Sequence, residues 1–219
     1  MSTEPAGVVL AIDGPAGSGK STVALRVAEA LGVPHVDTGA YYRAATLAVL
    51  RAGIDPADGP AVLEAVRAAQ IERVGGRTLL DGSDVEREIR GRAVTDHVSA
   101  VAGQQPVRDA LLAAQQSGIA RDGGVIEGRD AATRVAPDAT LKVWLDADVA
   151  ERARRRARQA GEPDRLAHHE ADLQRRDAAD ARQMARHPDA VVVDTTGLAL
   201  AEVVATVVRL ARAAAGGRR

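Results

Sequence analysis

Gly14-Pro15-Ala16-Gly17-Ser18-Gly19-Lys20-Ser21 is the stretch that decides the fold. It fits the spacing G-x-x-x-x-G-K-[ST], which carries meaning only between a strand and a helix. Residues 8–12 form a short apolar run before it, and 21–31 carry apolar residues at helical spacing after it. Glycines at 14, 17 and 19 permit backbone dihedrals and close approaches that a side chain forbids, so successive N–H groups can face phosphate oxygens. The helix that follows adds the positive end of its dipole. Gly14, Pro15, Ala16, Gly17, Ser18, Gly19, Lys20, Ser21 and Thr22 are therefore the expected ATP-phosphate loop. Lys20 is placed to reach the β- and γ-phosphates, and the Ser21 hydroxyl to ligate Mg²⁺. Switch-type GTPases also carry such a loop, together with an Asn-Lys-x-Asp base-reading motif, and neither lysine of this chain lies in one.

Working outward, short apolar runs recur at 34–36, 124–126, 141–145 and 190–193, each bounded by glycine, proline or a carboxylate. Helical spacing fills 41–52, 94–116 and 198–214 between them. Alternating strand and helix predicts an α/β fold, a parallel sheet flanked by helices on both faces. Two segments break the alternation. Residues 60–90 read as a short helix and a hairpin turning at Gly75-Gly76, within an inserted lobe of about 58–95. Residues 151–187 are dominated by Arg, Asp, Glu, Ala and His, and read as two polar helices joined by a mobile tip at Gly161 and Pro163, the makings of a lid. The expectation is one domain over 1–219 carrying both insertions, with the terminal Gly-Gly-Arg-Arg frayed.

Composition narrows the function. A formal net charge of −1 leaves no cationic footprint for nucleic acid. There is no cysteine, hence neither a disulfide framework nor a thiolate metal site. Residues 1–7 lack a basic leader, and no apolar run approaches the roughly 18 residues of a membrane span, so the expectation is a cytoplasmic protein without a membrane partner. The missing large apolar surface stripe points to a monomer. Aromatics are confined to Tyr41, Tyr42 and Trp144, which leaves the core to Ala, Val, Leu and Ile. Lysine stands only at 20 and 142 in a chain that otherwise writes positive charge as arginine, so Lys20 marks a place where a compact ammonium on a flexible stem is needed.

A kinase acting on a phosphorylated acceptor must neutralise two mutually repelling anions, and several arginines with a metal suffice. Asp37-Thr38-Gly39-Ala40-Tyr41-Tyr42-Arg43 follows the second strand, and Glu127-Gly128-Arg129-Asp130 the third. In open parallel sheets the ligand crevice lies beyond these carboxyl ends. Each motif also has a plainer reading: Asp37 and Thr38 as helix caps, Arg43 as a solvated helix residue, Glu127 with Arg129 as a local ion pair, and the polar helices as a solvated face. The five histidines, His168-His169 included, read as surface residues.

Taken together these pieces resemble the bacterial cytidylate kinases, a branch of the nucleoside monophosphate kinases. The resemblance covers nearly the whole chain. It rests on Ile12-Asp13 with the phosphate loop through Thr22, on Asp37 to Arg43 as quoted, and on residues 85–90 with their Glu-Ile-Arg ending. It continues through Val98-Ser99, Val107-Arg108-Asp109-Ala110-Leu111-Leu112, Gly128-Arg129-Asp130, Pro137-Asp138-Ala139, and Arg176-Asp177 with Asp180. It implies a nucleoside-monophosphate lobe, a lid closing over ATP, and transfer from MgATP to CMP or dCMP as small-molecule substrates. Arg43 and Arg129 would hold the acceptor's α-phosphate; Thr38, Arg108 and Asp130 would face the base, with Asp37 beside Thr38; Ser99, Arg176 and Asp180 would approach the ribose. Lys20, Arg129, Arg176 and Arg182 would carry the catalytic charge.

The chain departs from the family pattern in three places. Ala131-Ala132-Thr133-Arg134 replaces a hydrophobic residue, glycine and a valine-rich stretch; Gln183 stands where the family has another lid arginine, with Arg182 and Arg186 nearby; and the segment after it is short. Rival readings are a P-loop kinase for another nucleotide or for a metabolite hydroxyl, for which Asp37 is the obvious base, and a nucleotide-binding protein without turnover.

Overall fold

A computed structural model describes residues 8–119, 123–184 and 186–216. The expectations about residues 1–7 and 217–219 fall outside them. In chain order the elements are β1 (Val9–Asp13), α1 (Lys20–Leu31), β2 (His35–Asp37), α2 (Thr38–Arg51), α3 (Gly59–Ala68), β3 (Ile71–Val74), β4 (Arg77–Leu80), β5 (Ser83–Asp84), α4 (Arg92–Ala102), α5 (Gln105–Ser117), β6 (Gly124–Gly128), β7 (Leu141–Asp146), α6 (Val149–Ala160), α7 (Leu166–Asp180), β8 (Val191–Asp194) and α8 (Leu200–Gly216). Short 3₁₀ turns at Glu88–Arg90 and Pro163–Arg165 and a π turn at Ala131–Val135 complete the list. Among the described residues no helix is long and apolar enough to cross a membrane.

The chain forms two compact units, one from the segments 1–36 and 119–219, the other from Asp37–Gly118. The first holds a five-stranded sheet in the order β2-β6-β1-β7-β8. β1 pairs in parallel with β6 and β7, and β7 with β8. β1 and β6 are almost wholly buried, as expected of central parallel strands written as unbroken apolar runs. Leu10, Ile12, Val125, Val143 and Leu145 from the strands meet Val23, Val27, Val203, Val207 and Ala211 from α1 and α8 in one core.

The second unit is built around α2. Ala40, Ala44 and Leu47 pack on Leu80, Val85, Ile89 and Val94, beneath a three-stranded antiparallel sheet in the order β3-β4-β5. The hairpin turns at Gly75-Gly76, as its sequence predicts. The stretch 94–116, expected as one helix, is two. Gly103 lies between them and Pro106 sits in the first turn of α5, where its missing N–H costs nothing but where a continuous helix could not pass. α2 starts earlier than apolar spacing alone indicates, because the Asp37 carboxylate accepts the Ala40 N–H at 3.0 Å and caps it.

The loop after β1 has no room for a side chain at its first glycine. Gly14 has φ of +154°, and a Cβ built there would lie 2.2 Å from the Leu145 carbonyl oxygen of β7. That oxygen belongs to the rigid sheet and cannot give way. Gly14→Ala is expected to cost about 3 kcal/mol of stability or more and to abolish ATP binding. Thermal unfolding with a nucleotide titration checks this, and an unchanged Tm with intact binding would show that the loop tolerates the methyl group.

Candidate functional site

The phosphate loop is held open by its neighbours. α1 begins at Lys20 with Gly19 as its cap residue, no side chain caps it, and no acidic residue lies in its first turn. Its first N–H groups are thus not taken up by a side chain of the helix itself. The Lys20 ammonium donates to the Pro15 carbonyl at 3.0 Å, folding the side chain back over the loop. Ser18 is buried, and its hydroxyl oxygen has no protein partner.

At the end of β6, Glu127 is 2 % exposed. One carboxylate oxygen accepts the Ser21 hydroxyl at 2.7 Å, and the other lies 3.1 Å from Nε2 of His35. Among the described residues no cluster of His, Cys, Asp and Glu is arranged to cage a metal by itself. Mg²⁺ that arrives with a nucleotide does not need a cage, since phosphate oxygens and water fill most of its shell. A hydroxyl with a carboxylate behind it is a donor set of the right hardness, so these residues fit the ion.

Arg129, two residues further, donates Nη1 to the Gly14 carbonyl at 3.2 Å and pairs Nη2 with Asp180 at 2.9 Å. Arg176 of α7 is half-buried, and its Nε, shut off from solvent, has no hydrogen-bond partner. Burial, and then the charge of Arg129, draws it below the ordinary guanidinium value. The Lys20 ammonium is pushed down to about 7, first by burial and then by Arg129, against the opposite pull of Glu127 and Asp13, with Arg176 adding to the depression. Three cations thus lie close enough to repel one another, with the carboxylates of Glu127, Asp13 and Asp180 beside them. Crowded, desolvated cations of this kind favour an anion beside them.

Helices α6 and α7 are fastened to the same loop. Arg152, buried in α6, donates Nη1 to the Ala16 carbonyl at 2.8 Å and to Asp177 at 2.6 Å. Asp177 in turn accepts the Ala16 N–H at 3.2 Å. Both backbone groups of one loop residue are therefore bound by two different helices, and Ala16 packs with Ala153 and Leu173. Arg155 donates to the Ser18 carbonyl at 3.4 Å and to Thr195 beyond β8 at 2.9 Å.

In the other unit, Asp37 caps α2 and receives Arg90 at 3.3 Å. Thr38 is buried at the start of α2. Arg43 donates Nη1 to the Ile89 carbonyl at 3.1 Å and the Thr95 hydroxyl at 3.0 Å. Arg108 on α5 is 4 % exposed, donates to the Ala102 carbonyl at 2.9 Å and lies over the Tyr42 ring, 5.0 Å from its centroid. Gln115 of α5 reaches the Thr38 carbonyl at 3.5 Å. Ser99 lies on α4, partly exposed.

Of the residues singled out from sequence, Gly14 to Thr22, Arg129, Asp130, Arg176 and Asp180 belong to the first unit, and Asp37, Thr38, Arg43, Ser99 and Arg108 to the second. Arg129 pairs with Asp180, and Glu127 accepts the Ser21 hydroxyl. Arg182 is exposed in the turn after α7. The sequence alone assigns no site role to Arg152 or His35; Asp177 and Arg90 enter only within family motifs, and Glu127 only as the carboxylate at a strand end with a local ion pair as its plainer reading. Only Glu127 carried a usable signal there, as the carboxylate at a central strand end; Arg152 is one arginine among many in a polar helix.

The family model for cytidylate kinase matches residues 10–213. The chain is 48% identical over 212 residues to the cytidylate kinase of Mycolicibacterium paratuberculosis, covering 90% of this chain and 92% of that one. It is 44% identical over 216 residues to the cytidylate kinase of Corynebacterium diphtheriae, covering 93% and 94%. A gluconokinase structure from Sinorhizobium meliloti 1021 superposes with a TM-score of 0.51 at 20% identity, over 97% of this chain and 94% of that one, a likeness of fold alone. A glycine loop with a crowded lysine, a carboxylate behind its serine, and a match over almost the full length lead to one conclusion: the chain belongs to the cytidylate kinase family.

Proposed function

We propose that this protein transfers the γ-phosphoryl group of ATP to CMP or dCMP, giving ADP and the nucleoside diphosphate. The observation that carries the reading is the crowding of Lys20, Arg129 and Arg176 at the phosphate loop, in a chain whose relatives bear that activity in their names. The acceptor phosphate is already an anionic nucleophile at neutral pH, so no general base is needed. The work left is to hold two anions together, keep the reacting oxygens in line and exclude water.

Roles follow from the family pattern and the chemistry of each side chain. The backbone from Gly14 to Thr22 receives the phosphates, and Lys20 follows the transferring group. Ser21, steadied by Glu127, would hold Mg²⁺, which when bound offsets charge on the β- and γ-phosphates; His35 orients Glu127 from the other side. Arg129 and Arg176 face the migrating charge. Residues of about 151–187 serve as the lid, in which Arg182 offers a further cation, and a lobe of about 58–95 serves the nucleoside monophosphate. In the second unit the family pattern gives Arg43 the acceptor phosphate, Thr38 and Arg108 the base with Asp37 shaping the turn, and Ser99 the ribose. Asp180 reaches the ribose once it gives up Arg129. Asp130 completes the base contacts: cytosine presents acceptors at O2 and N3 and a donor amine, which an arginine and a carboxylate complement, whereas the O4 of uracil would meet the carboxylate as one acceptor meets another.

A coupled ADP-release assay with MgATP and a panel of CMP, dCMP, UMP, AMP, GMP and dTMP tests the reading. Turnover confined mainly to CMP and dCMP is expected; turnover on another acceptor alone would keep the phosphate loop and discard the cytosine site. Asp130→Asn should narrow the CMP-over-UMP ratio of kcat/KM by roughly ten-fold, and an unchanged ratio would remove Asp130 from the base.

Lys20 gives a pH signature. Its proton is half lost near pH 7 without ligand, and bound phosphates favour the charged form, so its pKa rises on binding. Nucleotide binding should then take up close to one proton at pH 8 and little at pH 6. Calorimetry in buffers of different ionisation enthalpy measures this, with Lys20→Met as the reference; equal uptake by both proteins at pH 8 would rule Lys20 out as its source.

A further inference from the structure

Asp13 closes β1 directly before Gly14, yet it touches neither the loop's lysine nor its serine. It is 3 % exposed. Its Oδ1 accepts the Ala131 N–H at 2.8 Å and its Oδ2 the Ala132 N–H at 2.8 Å. These two donors open the π turn Ala131–Val135, which follows Arg129-Asp130 without a spacer residue. A residue in the position of Asp130 ordinarily caps such a turn with its own side chain. Here Asp130 makes no capping bond, and the cap arrives from another strand.

The geometry makes this possible. β1 and β6 are in parallel register with Asp13 opposite Gly128, so the side chain at the end of one strand meets the backbone leaving the other. Ala131 and Ala132 are themselves buried, and their small side chains let that backbone come close. The departure from the family pattern at 131–134 is thus the place where the Asp13 carboxylate seats. Burial pushes this carboxyl up to about 6 even against the two N–H bonds, so keeping it there is costly to the fold and calls for a return.

We infer that Asp13 is a positioning residue for the acceptor: by gripping the two N–H groups after Asp130 it fixes Arg129 and Asp130 at the end of β1, the strand that carries the phosphate loop. The inference rests on the reading of Arg129 and Asp130 as acceptor-binding residues. Asp13→Asn keeps one acceptor and turns an amide N–H₂ toward a backbone N–H, which breaks half of the grip with little change of volume. Ala132→Pro deletes the N–H that meets Oδ2 from the opposite side.

Both variants should raise KM for CMP by about ten-fold or more, as expected of ligands displaced by a fraction of an ångström, and should narrow the CMP-over-UMP ratio. KM for ATP should stay within about two-fold of the parent. If either variant folds, by an unchanged melting profile, and shows equal losses toward CMP and ATP, or unchanged KM and ratio, Asp13 only holds the fold together and the inference is overturned. Asp130→Asn run alongside separates the two readings. A narrowed ratio there with an unchanged ratio in Asp13→Asn refutes the positioning role alone, whereas an unchanged ratio in Asp130→Asn refutes the acceptor reading and this inference with it.

Discussion

Everything in the first unit depends on holding cations next to one another before any anion is present. Lys20, Arg129 and Arg176 repel, and burial removes the water that would screen them; the depressed pKa values of Lys20 and Arg176 express that cost. The fold contains it by tying Lys20 and Arg129 to carbonyl oxygens and Arg129 to a carboxylate. Lys20 leans on the Pro15 carbonyl, Arg129 on the Gly14 carbonyl and Asp180. The carboxylates of Glu127, Asp13 and Asp180 lie close enough to act on these cations without undoing their mutual repulsion, and a bound polyphosphate would relieve it.

The same logic explains why so many contacts converge on a loop of a few residues. A backbone that must present N–H groups to a ligand cannot spend them on a helix or a sheet, so its shape has to be imposed from outside. Asp177 and Arg152 bind the two sides of Ala16, Arg155 takes the Ser18 carbonyl, and the Leu145 carbonyl leaves no space beside Gly14. Fastening α6 and α7 to the loop also joins any movement of those helices to the loop's shape, the coupling that a closing lid would use.

The fold was legible because its sequence signals are local. Five apolar runs, helical spacing between them, a Gly-Gly hairpin and a glycine loop in context each act over a few residues, and the strands of the main sheet lie where these signals put them, shifted by one or two residues at their ends, although the last, β8, is an edge strand with Val191 and Val192 exposed and not a buried one. The misread helix over 94–116 failed for a local reason as well, a proline whose position in a first turn is neutral. The site was legible only where one residue type is demanded by chemistry, as for Lys20 and Ser21. Arg152, Asp177 and Asp13 escaped because their partners are backbone atoms far away in sequence: Asp13 meets Ala131 and Arg152 meets Ala16. No periodicity or spacing records a bond of that kind. His35 escaped for the opposite reason, since a lone histidine on a short strand reads as surface until Glu127 is found beside it.

The central claim is that these residues act by charge and placement alone, with no protein nucleophile between donor and acceptor. The direct test is the stereochemical course at phosphorus, using ATP made chiral at the γ-phosphoryl group with oxygen isotopes and CMP as acceptor. A single in-line transfer predicts inversion of configuration. Retention would mean two successive displacements through a phosphorylated side chain, and would contradict the account.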